Sequence, residues 1–201
     1  MIIHCSQKLA AKLAGVSSTP LEETSPLGSW HGHLFTLDRR QCVMFMHDAT
    51  RFALFMAGLR KPQFAELGSK WFRLLYTATL AMSGCPDAQI RKVELALGPV
   101  RFDTATDRSV QGSLRVAKQD LEARLYDVPN VLDLDPLAMS CELSHRPASV
   151  HGKWLWRTRR CGRWWRRCNP IRRGQIRVLA GLHSQTMQNR HWINLGNRLL
   201  K

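Results

Sequence analysis

Acidic side chains are missing from the last 51 positions of this 201-residue chain: all 15 Asp and Glu residues lie between Glu22 and Glu142. Residues 1–150 carry 17 Lys and Arg, a net charge of +2, whereas residues 151–201 carry 13 and a net charge of +13. The overall +15 therefore belongs to an extension, and it does not license a polyanion-binding role for the body. Long apolar runs are also missing. None approaches the roughly 18 uncharged residues of a membrane-spanning helix, the nearest being Leu74 to Pro86, which includes Thr, Ser, Tyr and Gly. No partner in a membrane is expected. The N-terminus has no basic segment followed by an apolar core, because Lys8 and Lys12 interrupt the place for one. A cytoplasmic location is expected, with the six scattered cysteines reduced. No glycine-rich phosphate loop, nucleophile elbow or His-Glu-x-x-His element occurs, so the chemistries those motifs serve have no foothold.

What is present reads as one α+β domain over residues 1–150. Hydrophobic residues make up 44% and charged residues 22% of the chain, which is globular composition. Ile2 to Cys5 is a short apolar strand, followed by a brief helix that Ser6 can cap. Trp30–Leu37, Gln41–His47 and Phe52–Ala57 are apolar runs separated by the short polar breaks Asp38-Arg39-Arg40 and Asp48-Ala49-Thr50-Arg51. Breaks that short permit only antiparallel neighbours, so residues 30–57 predict a meander. Gln41–His47, apolar on both faces, is expected at the centre of the sheet.

Apolar residues at three- and four-residue spacing predict an amphipathic helix over 62–83, with a second over 109–126 capped by Asp107 or Ser109. Residues 87–97 fit a helix better than a strand, Val100 to Ala105 reads as a strand, and Asp135-Pro136 starts a short helix. The expected architecture is a mostly antiparallel sheet of four or five strands packed against the helices 62–83 and 109–126, with an irregular basic C-terminal tail.

Four stretches carry a resemblance: MIIHCSQKLAAKL, LGSWHGHLFTLDRRQCVMFMHDATRFALFMAGLRKP, DTATDRSVQGSL and DLDPLAMSCELSHRPASVHGKWLW. Together they resemble a family of small bacterial proteins known only as a domain of unknown function, over residues 1–156. The resemblance implies a fold-sized unit and a bacterial setting, and it carries no reaction, cofactor or catalytic residue. It also implies an ending soon after HGKWLW in a short segment with acidic residues, which this chain replaces with RTRRCGRWWRRCNPIRRG.

Candidate chemistry falls in three groups. Arg39, Arg40, Arg51 and Arg108 stand beside aspartates in polar turns, where they would either line a cleft for an anionic ligand or fix the turns as ion pairs and caps. In the extension, Trp154, Trp156, Trp164 and Trp165 interleave with Arg157, Arg159, Arg160, Arg163, Arg166 and Arg167, the combination that tracks phosphates and stacks on bases. His31 and His33 share one face of a strand, and His4 or His47 would complete a metal-sized set if register allowed. Register is not legible, so partly buried histidines are the expectation. Cys161, Cys168, His183 and His191 are spaced more widely than a structural zinc site. No metal or cofactor is expected. Cys5, Cys42 and Cys85 have no local base and read as core residues.

The leading functional expectation is a non-enzymatic binding or interaction module for a protein or small-molecule ligand. Nucleic-acid association through the tail is the alternative, and a hydrolase or transferase using turn arginines and a histidine is a third. The tail 151–201 is itself read in two ways, as a basic Arg/Trp segment without regular structure or as the product of a frameshift. The coding DNA separates them: reading it in a shifted frame after the Trp156 codon yields a short, acid-containing ending if the frame slipped, and the idea fails if no such ending appears.

Overall fold

The computed structural model describes residues 1–150 and 153–156. Its seven strands are β1 (Ile2–Cys5), β2 (Trp30–Leu37), β3 (Arg40–His47), β4 (Ala53–Met56), β5 (Arg101–Asp103), β6 (Pro147–Val150) and β7 (Lys153–Trp156). Its six α-helices are α1 (Gln7–Ala10), α2 (Lys61–Ala65), α3 (Phe72–Met82), α4 (Asp87–Leu97), α5 (Arg108–Arg124) and α6 (Pro136–His145). Five strands form one sheet in the order β4-β3-β2-β1-β5, and β6 with β7 forms a separate hairpin.

The expected meander is present, since β2, β3 and β4 pair antiparallel. The sheet as a whole is mixed, however, because β1 runs parallel to both β2 and β5. Parallel neighbours need long connections, and both of these have them: residues 6–29 link β1 to β2, and most of the helical chain separates β1 from β5. With two strands added beyond β2, β3 is interior but β2 takes the centre. The β2–β3 link closes tightly on Asp38 and Arg39, both at positive φ, as a two-residue hairpin loop of the primed kind demands.

Side-chain alternation gives the sheet two apolar faces. Phe35, Met44, Met46 and Phe55 pack on Val110, Leu114, Ala117 and Leu121 of α5, together with Met139 and Leu143 of α6. On the other face Trp30, Phe45 and Phe52 meet Phe72 and Tyr76 of α3 with ring centroids 5.0–5.9 Å apart. The predicted helix over 62–83 is broken: α2 ends at Ala65, a π-turn occupies Leu67–Trp71, and α3 follows. Gly68 explains the break. A Cβ there would meet Phe102 at 2.8 Å and Val100 at 3.0 Å, so the bulged turn lets the backbone settle directly on β5. Gly32 plays the same part in β2, where a Cβ would stand 2.8 Å from Leu9 of α1.

Both edges of the sheet are covered, which prevents pairing with another chain. On the β5 side, Val16 bridges Phe102 and the Ser17 amide donates to the Phe102 carbonyl. On the β4 side, two serines one helical turn apart on α6 stand in for a strand. Ser140 Oγ accepts from the Phe55 amide at 2.9 Å, and Ser144 Oγ accepts from the Ala53 amide at 3.0 Å while donating to its carbonyl. Among the described residues no helix is long and apolar enough to cross a membrane. Ser140→Ala leaves a buried amide without an acceptor, so the expected loss is about 1–3 kcal/mol in denaturant unfolding, with a larger loss and increased self-association when Ser144→Ala is added.

Candidate functional site

Register places a polar cluster where β1 runs between β2 and β5. His4 sits opposite His31 on one side and Asp103 on the other, so three polar side chains share the face that α5 packs against. The turn after β3 brings in Asp48, and the start of α5 brings in Asp107 and Ser109. His4 Nδ1 and Asp103 Oδ1 are 2.5 Å apart, His31 Nδ1 and Asp48 Oδ1 2.6 Å apart, and the two imidazole centroids 4.9 Å apart.

Backbone amides fix two of the histidine tautomers, because an amide N–H can only donate. The Asp107 amide donates to His31 Nε2 at 2.9 Å, so His31 carries its proton on Nδ1 and donates it to Asp48. His47 is the reverse case, on the opposite face. It accepts the Thr50 amide on Nδ1 at 3.1 Å and donates from Nε2 to the Leu27 carbonyl at 2.7 Å. Both rings are closed on both nitrogens. His4 is different: Nδ1 donates to Asp103, while Nε2 has no hydrogen-bond partner among the described residues and faces Asp48 Oδ2 at 4.0 Å. Its side chain is 14% exposed and that of Asp48 24%, so this pair is where the cluster meets solvent.

Asp103 is fully buried. Burial alone would raise its pKa, but the Leu21 amide, His4 and the Ala105 amide all donate to it, and it is held below the ordinary 3.8. Asp48 behaves alike. Burial opposes its ionisation, yet hydrogen bonds from His31 and from Ser29 Oγ, at 2.5 Å, prevail and hold it low. Cys5, beside the cluster, is pushed up to about 12 by burial and by Asp103, and burial likewise pushes Cys42 up to about 11. Neither thiol is ionised near neutrality, so neither is an activated nucleophile.

The arginines anticipated from sequence are split up. Arg39 and Arg40 are exposed at the far end of β3 from Asp48, about 25 Å away at the rise of an extended strand. Arg51 is the one drawn into the cluster. It is 1% exposed, adopts φ +59, and reaches the Asp48 carbonyl and Ser109 Oγ (2.8 Å), tying the turn to α5. Burial lowers its pKa, against Asp107 and Asp48, which raise it. Arg108 is exposed in the first turn of α5, but the amides there are already engaged, since Asp107 Oδ1 accepts from Ser109 and Val110. The cluster thus presents acceptors, and the donors expected to cradle an anion are either spent or elsewhere. His33 joins neither dyad: it stacks on Phe35 with centroids 6.0 Å apart. Among the described residues no group of three or more His, Cys, Asp or Glu side chains is placed to hold a metal. Trp154 and Trp156 lie on β7, and Arg157, Arg159, Arg160, Arg163, Trp164, Trp165, Arg166 and Arg167 lie outside the described residues.

Sequence reasoning paired His4 with His31 only conditionally and missed Asp48 and Asp103 as their partners. The available signal was weak: a lone aspartate ending the run Val100 to Asp103, meaningful only once that run is known to lie beside β1. A family model described as "Domain of unknown function (DUF6933)" matches residues 2–156, a span that contains the whole cluster. No curated protein matches the chain.

The pH dependence of stability follows from these shifts. Asp48 and Asp103, held below 3.8, stabilise the fold above that pH and lose their contribution as pH falls through and below it. His47, held below 6.5 by burial, costs stability as pH falls below 6.5, because the unfolded ring takes up a proton there that the folded one refuses. Thermal melts between pH 7 and pH 3 are expected to fall in two stages. Asp103→Asn should lower stability at neutral pH and flatten the acid stage while leaving the stage near 6.5 intact.

Proposed function

Because the chain belongs to the DUF6933 family, a domain of unknown function that supplies no chemistry of its own, we propose from the geometry that it is a non-enzymatic binding module whose ligand seats on His4 and Asp48. One observation carries this reading: His4 Nε2, held in place by a buried aspartate, faces Asp48 Oδ2 across 4.0 Å with no hydrogen-bond partner among the described residues. Two neighbouring histidines satisfy both ring nitrogens internally, so the fold has the means to close such a ring and leaves this one open.

A buried Asp orienting a His also suits general-base catalysis, and covalent catalysis by the protein's own side chain would need in addition a nucleophile bonded to the free nitrogen. Among the described residues no Ser, Thr or Cys side chain bonds to His4; Ser29 Oγ donates to Asp48 instead, and Cys5 holds its proton. Binding without covalent chemistry is the reading these contacts favour. A second reading, nucleic-acid association through the Arg/Trp segment, is favoured by the net +13 of residues 151–201.

The test is an NMR titration of the full chain with butylammonium, acetate, methyl phosphate, glycerol and a single-stranded oligonucleotide. At least one of the four small probes is expected to shift the His4 ring resonances, and His4→Asn, whose amide can still donate to Asp103, to abolish that shift. If none of the four touches residues 4, 31, 48 or 103–107, the binding module is wrong. Oligonucleotide binding that weakens steeply with salt and leaves His4 unmoved would favour the second reading.

A further inference from the structure

His4 Nε2 and Asp48 Oδ2 face each other across 4.0 Å at the surface end of a polar network, and with His4 neutral both are acceptors. A single heavy atom at ordinary hydrogen-bond distance from each, about 2.9 Å, would see them at an angle of roughly 90°. Two N–H or O–H bonds on one tetrahedral atom are near that angle, so the gap fits one atom that donates twice. It does not fit an anion, which would set its own lone pairs against both acceptors.

Charge narrows the choice among double donors. Asp48 and Asp103 are ionised, Asp107 stands at the rim, and His31 contributes no positive charge while it accepts the Asp107 amide. Arg51 is the cation on hand, and two of its nitrogens are turned to the Asp48 carbonyl and Ser109. Carboxylates thus outnumber cations around the gap, and a cationic donor is preferred over water or a hydroxyl.

Resting on the binding reading above, we propose that the His4–Asp48 pair is a receptor for a primary ammonium group, which donates one N–H to His4 Nε2 and a second to Asp48 Oδ2. The shared chemistry has two sources, a free small amine or a lysine side chain presented by a protein.

The experiment follows the His4 ring nitrogens of the full chain by NMR during titration with butylammonium, Nα-acetyl-lysine methylamide and butanol. Both amines are expected to bind and to move the Nε2 resonance as an acceptor gaining a donor, while butanol binds at least about tenfold more weakly. Similar affinity for the two amines assigns the site to free amines; tighter binding of the lysine derivative assigns it to a protein lysine. Asp48→Asn keeps an oxygen for His31 and turns the other acceptor into a donor, and at least about a tenfold loss of amine affinity is expected in folded protein whose melting temperature is lowered by the lost carboxylate. Should that variant unfold, His4→Asn is read in the same way. Butanol binding as tightly as the amines, amine binding that survives in a folded variant, or a His4 Nε2 already protonated and unmoved by amine each overturns the ammonium assignment. Acetate or methyl phosphate binding at the cluster in place of amines would also overturn it while sparing the binding module. Silence from every small probe removes both.

Discussion

The structure depends on a four-residue strand being paired on both sides. β1 begins at the second residue of the chain, yet it lies between β2 and β5 and supplies the only parallel pairings of the five-stranded sheet. Without it β5 has no partner in the sheet. Its apolar residues are also what a buried strand needs, with Ile2 and Ile3 fully buried and Cys5 1% exposed. One residue in this strand breaks the apolar pattern, and that residue is His4.

Placing an imidazole at that position has physical consequences. A buried carboxylate costs several kcal/mol unless hydrogen-bonded, and Asp103 is compensated by two backbone amides and by His4. The same logic runs along the turn after β3. Asp48 is supported by Ser29 and His31, His31 by the Asp107 amide, and the Asp48 carbonyl by Arg51, which also reaches Ser109. The network therefore ties β1, β2, β5, the β3–β4 turn and the start of α5 into one rigid patch. Arg51 holds a left-handed backbone conformation and leaves a buried Nε without a hydrogen-bond partner among the described residues, so the tie is maintained at some local cost.

How much of this was legible depended on the range of the interaction. The meander followed from Asp38-Arg39-Arg40 and Asp48 to Arg51 being short polar breaks, and α5 from apolar spacing that begins at Val110 after a cap at Asp107 or Ser109, because both signals are local. The mixed character of the sheet was not legible, since β1–β5 pairing joins residues 99 positions apart and leaves no trace in either segment. The break at Gly68 was missed for the same reason: helical periodicity continues through it, and the residues packed against the glycine, Phe102 and Val100, lie far along the chain. The arginines show what local pattern leaves open. Arg51 and Arg108 look alike in sequence, each beside an aspartate in a turn, but one is buried as a strut and the other is exposed. His31 and His33 share a face as the alternation required, yet one is wired into the cluster and the other rests on Phe35, a distinction set by where α5 begins.

Local rules fail where a fold serves something besides stability, and such failures concentrate here. A polar residue in a buried strand, a fully buried aspartate, a non-glycine residue at positive φ and an imidazole with an idle nitrogen all fall around one patch. The first three are compensated by hydrogen bonds within the protein. The fourth is not, among the described residues. An apolar residue at position 4 together with one at 103 would fill the same space without a network, and at less desolvation cost. The same sheet closes His31 and His47 completely, so an unmatched Nε2 facing a carboxylate is not a limit of the scaffold. What distinguishes His4 is that its second nitrogen lies at the surface, where a group from outside the chain can reach it.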